Sequence, residues 1–262
     1  MKMHSTASVE SGARIGEDVE IGPQAYIGPH VAIGNGCKIG HGAHIEGHTS
    51  LGERNNVGPY VMLGTPPQDV KYRGEPTELV IGDDNVFREF ATINTGTVTG
   101  LGVTRIGSRN MFMIGSHVGH DCDVEDDVIM VNGVAVGGHC KIESGAWIMG
   151  GAGLVQFTSV GKLAYVAGMS GIEVDVPPFM IMEGHRASVR KVNEVGLRRA
   201  GYSEEVIQNL WDAYRKIFRA KQLNREKIFN EIEASDWACE ETLYLVRFMR
   251  RSLQGRLGRY LE

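Results

Sequence analysis

Two short stretches of the chain carry residues able to do acid–base chemistry. They are Val118-Gly119-His120-Asp121-Cys122 and, eighteen positions on, Val136-Gly137-Gly138-His139. Histidine is the side chain whose ordinary pKa lies nearest neutrality, so it serves as a general base once a carboxylate fixes its tautomer. His120 beside Asp121 has that form. Gly138, with no side chain to shield its N–H, suits donation to a developing oxyanion. If the chain repeats every eighteen residues, His120, Gly138 and Gln156 form one column, and Asp121, His139 and Phe157 form the next. His120 and His139 should then both point outward, with His117 on the same face. Two other readings compete: a pair of ordinary surface histidines, and a zinc site made of His117, His120 and His139.

The elements that position these residues follow from a repeat. From Met3 an aliphatic residue recurs every six positions through Val9, Ile15, Ile21, Ile27, Ile33, Ile39, Ile45, Leu51, Val57 and Leu63, and glycine follows eight of these eleven. The period resumes at Ile81, Phe87 and Ile93, and again from Ile106 through Val118, Val136 and Leu154 to Ile172. Six residues match neither an amphipathic helix nor an alternating strand. They match a parallel β-solenoid in which each hexapeptide is one short strand and a turn, and three close a triangular coil. The aliphatic residues stack inward from coil to coil, about 4.8 Å apart, and the glycines are expected to relieve the tight corners. Small or β-branched residues four places later, such as Ala25, Val31 and Ala43, accompany them.

Two interruptions, 65–80 and 94–105, read as extruded loops, where function often resides. Asp175-Val176-Pro177-Pro178 ends the strand pattern, and from about Val189 the period becomes helical. Ser203 with Glu204 and Glu205 predicts a helix start, and Val206, Leu210, Tyr214, Ile217 and Phe218 share one face of that helix. Asn224 predicts the start of a third helix and Asp236 precedes a fourth. The expected organisation is a solenoid domain over 1–186 and a helical domain over 187–262. The basic cluster Arg247, Arg250, Arg251, Arg256 and Arg259 reads as a solvated helix face.

Composition limits the partners. The 35 glycines among 262 residues exclude a helical bundle. A net charge of −5 without a dominant basic run disfavours nucleic acid. The four cysteines, Cys37, Cys122, Cys140 and Cys239, lack CxxC spacing and are expected to be reduced thiols. With neither a signal segment nor a long apolar run, the expectation is a cytoplasmic protein with no membrane insertion.

The repeat is similar to the left-handed β-helix of the hexapeptide-repeat acyltransferases, and the handedness is an implication of that likeness. At QDVKYRGEPTELVIGD (68–83), SHVGHDC (116–122), VGGH (136–139), DVPP (175–178) and VNEVGLRRAGY (192–202), the chain resembles the UDP-N-acetylglucosamine 3-O-acyltransferases of lipid A biosynthesis. The resemblance spans essentially the whole chain. It implies a homotrimer with sites between subunits, which moves a 3-hydroxyacyl group from acyl carrier protein to the glucosamine 3-hydroxyl without a metal or other cofactor. On the matching positions it implies His120 as the base, Asp121 as its support and Gly138 as the donor to the thioester oxygen. Asp69 and Lys71 would hold the sugar and phosphates, while His117, His139 and Gln156 would contact substrate. Asn193 would contact the nucleotide and Arg199 a phosphate, and Gly168 would set acyl length. The basic cluster at the tail gains a second reading, a docking surface for the acidic carrier.

Three positions depart from the family pattern: Val155, Val195 (beside Glu194, which would stand in for a missing acid) and Ala200. Two rivals remain. A different hexapeptide acyltransferase acting on another nucleotide amino sugar would carry an extra N-terminal domain or lack the QDVKY loop; the repeat begins at Met3 and leaves no room for such a domain. A purely structural paralogue would have lost His120.

Overall fold

The computed structural model describes residues 2–219 and 224–262. Two-residue strands recur at the hexapeptide period and sort by coil position into three sheets of eleven, nine and eight strands, parallel throughout except for the final pair of the eleven-stranded sheet. Register follows the eighteen-residue coil: Lys2 pairs Glu20, Glu20 pairs Lys38 and Lys38 pairs Asn56. The result is a left-handed parallel β-helix of triangular section. Its core is the aliphatic column, with Ile27, Ile45, Leu63, Val118, Ile142 and Val166 all fully buried. Each such side chain contributes about 1.5–3 kcal/mol by leaving water. Cys37, Cys122 and Cys140 fill the small-residue positions of the same core as free thiols.

The glycines after the aliphatic positions work differently from expectation. The left-handed backbone of each turn falls two residues later, at Asp84 (φ 57°), Asp121 (φ 58°) and His139 (φ 61°). The second-position glycines are required by close approach: a Cβ on Gly40 would stand 2.7 Å from the Gly58 carbonyl carbon of the next coil.

Both loops are extruded, but shorter than the sequence reading had them. Strands His48–Leu51, Glu78–Ile81 and Val103–Ile106 lengthen to four residues and pair with one another, so 78–80 and 103–105 belong to the sheet. Beneath them runs a ladder of buried asparagines that hexapeptide reading missed. The Asn85 backbone N–H donates to Asn55 Oδ1, and that of Asn110 donates to Asn85 Oδ1.

Beyond Ile172 the chain stays extended for longer than the sequence implied. Met180–Glu183 pairs in parallel with Tyr165–Val166, then antiparallel with Ser188–Val192, which closes the eleven-stranded sheet. The region after Val189 is therefore first a strand. Helices follow at Glu194–Arg199 (α1), Glu204–Tyr214 (α2), Arg225–Glu233 (α3) and Glu240–Gln254 (α4). Ser203 and Asn224 cap α2 and α3 as predicted, each accepting a bond from the helix's first turn. The fourth cap lies three residues past Asp236, at Cys239, whose N–H donates to Thr242 Oγ1. A second apolar cluster, including Leu197, Leu210, Phe229 and Leu245, joins the helices to Phe179 and Met180. No helix among the described residues is long and apolar enough to cross a membrane.

Candidate active site

The turns that lead from the nine-stranded to the eight-stranded sheet form one edge of the prism. His120–Asp121, Gly138–His139 and Gln156–Phe157 occupy successive turns of that edge, as the eighteen-residue column requires. His120 Nδ1 lies 2.8 Å from Asp121 Oδ2. That contact places the proton on Nδ1 and leaves Nε2 free to accept one. The ring lies across Gly138: a Cβ there would sit 2.6 Å from His120 Cε1 and 2.7 Å from Nε2, so only glycine fits. Among the described residues nothing accepts a hydrogen bond from the Gly138 N–H.

Asp121 does not share the outward position of the histidines. Its side chain is wholly buried, while His120 and His139 keep 13% and 21% exposure. The second loop encloses it. Thr97 donates from its backbone N–H and its hydroxyl (2.6 Å to Oδ2), and the Leu101 and Gly102 N–H groups donate to Oδ1 at 2.8 and 3.1 Å. Burial alone pushes a carboxylate pKa up, but the bonds from His120 and Thr97 outweigh it and draw Asp121 down to about 2. The group is an anion at neutral pH.

His139 stacks face to face on Phe157, with centroids 4.5 Å apart, and meets the His120 ring edge-on at 4.9 Å. Burial lowers its pKa, with the Asp121 charge working against that, and the Asp69 charge on the first loop also reaches it. On that loop, Asp69 Oδ1 accepts a bond from the Lys71 N–H at 2.9 Å. His117 Nδ1 is 2.8 Å from Thr92 Oγ1, and burial, then the neighbouring His120, holds its pKa low. His120, Asp121 and His139 offer ligand atoms within 4.8 Å of one another. Asp121 Oδ2, however, already takes bonds from His120 and Thr97, so this donor set serves a hydrogen-bond relay; His117 lies outside it.

The remaining predicted residues lie elsewhere. Gly168 and Met169 occupy a turn between the eleven- and nine-stranded sheets, a different edge from His120. Arg199 sits outside the eleven-stranded sheet, its guanidinium 5.8 Å from the Trp147 ring centroid. Asn193 is buried and committed to the fold: its oxygen caps α1 at Gly196 and its amide donates to Leu163 O. Glu194 cannot replace an acid at Val195, because Trp211 and Arg198 already hold its two oxygens. Within one chain, then, the acid–base residues and the Gly168–Arg199 group do not meet.

The tail arginines are not a free basic patch. Arg247 pairs with Glu240, Arg250 with Glu226 and Glu233, Arg251 with Glu143, and Arg256 and Arg259 with Glu262. What the sequence reading missed was the second loop's hold on Asp121. The one signal available was the threonine and glycine content of 94–105.

Similarity to known proteins adds to this picture. Residues 175–257 match the family model "Udp N-acetylglucosamine O-acyltransferase; Domain 2", and 12–47 and 30–65 match the bacterial transferase hexapeptide repeat. An acyl-[acyl-carrier-protein]–UDP-N-acetylglucosamine O-acyltransferase of Anaeromyxobacter sp. (strain Fw109-5) is 50% identical over 97% of this chain and 99% of its own length. That of Syntrophobacter fumaroxidans is 41% identical with the same coverage. The UDP-N-acetylglucosamine acyltransferase structure from Bacteroides fragilis superposes with a TM-score of 0.92 at 36% identity, covering 95% of this chain and 96% of that one.

Proposed function

The chain belongs to the acyl-[acyl-carrier-protein]–UDP-N-acetylglucosamine O-acyltransferase family, and from that premise we propose that it transfers a 3-hydroxyacyl chain from acyl carrier protein to the 3-hydroxyl of UDP-N-acetylglucosamine, the first step of lipid A biosynthesis. The observation that carries the mechanism is the His120 ring, held by buried Asp121 and lying over Gly138. His120 Nε2 takes the proton of the sugar 3-hydroxyl as its oxygen attacks the thioester carbon. The Gly138 N–H donates to the oxyanion that forms. Collapse breaks the carbon–sulfur bond, and His120 returns its proton to the departing thiolate. Asp121 stays ionised throughout and stabilises the transient imidazolium. His117, His139 and Gln156 line the same edge as substrate contacts.

The separation of the two residue groups on different edges supports sites shared between subunits of a homotrimer. In that arrangement Asp69 and Lys71 hold the sugar and phosphates, and Arg199 reaches the nucleotide phosphate of a neighbouring site. Asn193 acts mainly by positioning α1. Gly168, exposed on its turn and without a side chain, leaves room for the acyl chain. The outer column of the eleven-stranded sheet fits such a contact: Lys2, Glu20 and Lys38 in the lower coils give way to Met111, Ile129, Trp147 and Tyr165 above. Free, buried Cys37, Cys122 and Cys140 suit a reducing compartment, so we place the enzyme in the cytoplasm.

The test is acyl transfer from 3-hydroxyacyl carrier thioesters to UDP-N-acetylglucosamine by wild type and His120→Ala. Loss of the base lowers the rate roughly 10²–10⁴-fold; a variant near full rate would remove His120 from the mechanism. Absence of transfer by the folded wild type would point to another nucleotide amino sugar.

A further inference from the structure

We propose that the second loop is a clamp on the catalytic carboxylate, with Thr97 as the positioning residue whose hydroxyl shares Asp121 Oδ2 with the His120 ring and so fixes where that oxygen holds the imidazole. This rests on the reading of His120 as base. Thr97 lies 24 positions before Asp121, is 3% exposed, and touches the carboxylate twice, through its backbone N–H at 3.0 Å to Oδ1 and its hydroxyl at 2.6 Å to Oδ2. The loop closes back on it, since the Gly100 and Gly102 N–H groups donate to Thr97 O at 3.1 and 2.9 Å. Gly100 lies flat against the carboxylate: a Cβ there would stand 2.5 Å from Asp121 Cγ. From the other side the Asp121 N–H donates to Thr104 Oγ1 at 2.8 Å. Few carboxylates are held by so many fixed donors unless their position matters.

A carboxylate oxygen that accepts two hydrogen bonds divides its charge between them. Without the Thr97 hydroxyl, Oδ2 is no longer fixed from the loop side, and the His120 ring that it orients is freer to leave its place over Gly138. Other groups act on the same ring: His139 Nε2 stands 3.9 Å from Oδ2, His117 lies beside His120, and the Asp69 charge reaches His139. All three are retained in a Thr97 variant, so a comparison with wild type isolates the hydroxyl.

The experiment measures kcat and KM separately for full-length wild type, Thr97→Val, Thr97→Ser and His120→Ala. In Thr97→Val we expect kcat to fall about tenfold, which is about 1.4 kcal/mol of barrier. KM for the nucleotide sugar stays within about twofold, and Thr97→Ser restores the rate. Should valine prevent folding, Thr97→Ala against Thr97→Ser reads the same hydroxyl. An unchanged kcat in Thr97→Val overturns the clamp, as does a serine variant no better than valine. If His120→Ala keeps its rate, the base reading itself fails; if His120→Ala is dead while Thr97→Val is like wild type, only the clamp does.

Discussion

Two histidine pairs stand on the same edge of this prism. His30 and His48, in the lower coils, stack in parallel with centroids 4.6 Å apart. His120 and His139, in the upper coils, are 4.9 Å apart and perpendicular. Residue type, edge and spacing are nearly equal, yet the lower pair is exposed and neither ring bonds a carboxylate, whereas the upper pair surrounds a buried anion. The difference is what covers the turn. Above, the second loop folds over Asp121 and excludes water, so the histidine–carboxylate contact is a strong one. Below, the first loop borders His48 through Pro66, Tyr72 and Glu75 but leaves both rings exposed, and they serve as stacked surface. A solenoid thus offers many equivalent outward positions, and the inserted loops select which become chemical.

This contrast can be broken by substitution. The largest expected effect after loss of His120 itself is Gly138→Ala. The added methyl would occupy the space of the His120 ring, and displacing a base by about 1 Å costs about 10²-fold in rate. Steady-state transfer kinetics would read this, and an unchanged kcat would mean that the ring does not need its place over Gly138. A middle-sized effect concerns acid stability. Asp121 is held below its ordinary value, so its contribution to stability is complete above the usual carboxylate range and is lost as pH falls through about 2. The shift corresponds to about 2 kcal/mol. Urea unfolding at a series of acid pH values should show wild type losing this increment while Asp121→Asn does not; parallel curves would argue that the carboxylate contributes nothing. The smallest effect is expected at the lower pair. His30→Ala and His48→Ala should leave acyl transfer at the wild-type rate and stability within about 0.5 kcal/mol. A large loss of activity in either variant would extend the active edge below the first loop.

The helical tail teaches a second contrast. Its basic cluster Arg247, Arg250, Arg251, Arg256 and Arg259 reads from sequence as a solvated helix face, with carrier docking as a second reading that the family resemblance adds. Each of the five pairs with an acid while Arg247, Arg251 and Arg256 stay substantially exposed, and Arg251 reaches Glu143 of the solenoid, which Tyr244 also bonds. The charges tie the tail to itself and to the β-helix. Pairing of this kind joins residues as far apart as 143 and 251, beyond what local spacing conveys.

Much of the site was nevertheless legible before any coordinates. A six-residue period is a local property, because each strand and turn is specified within one hexapeptide, and stacking at eighteen residues follows once the coils close. That suffices to place His120, Gly138 and Gln156 in one column, to bring Asp121 beside the base, and to cap two helices at Ser203 and Asn224. The tertiary structure decided what depends on distant backbone groups. It closed the second loop on Asp121 through Thr97, Leu101 and Gly102, committed Asn193 and Glu194 to the fold, and put Gly168 and Arg199 away from His120. Repeats are specified by neighbours in sequence, whereas loop closures and ion pairs are specified by whichever unpaired donors and acceptors the finished coils bring within reach.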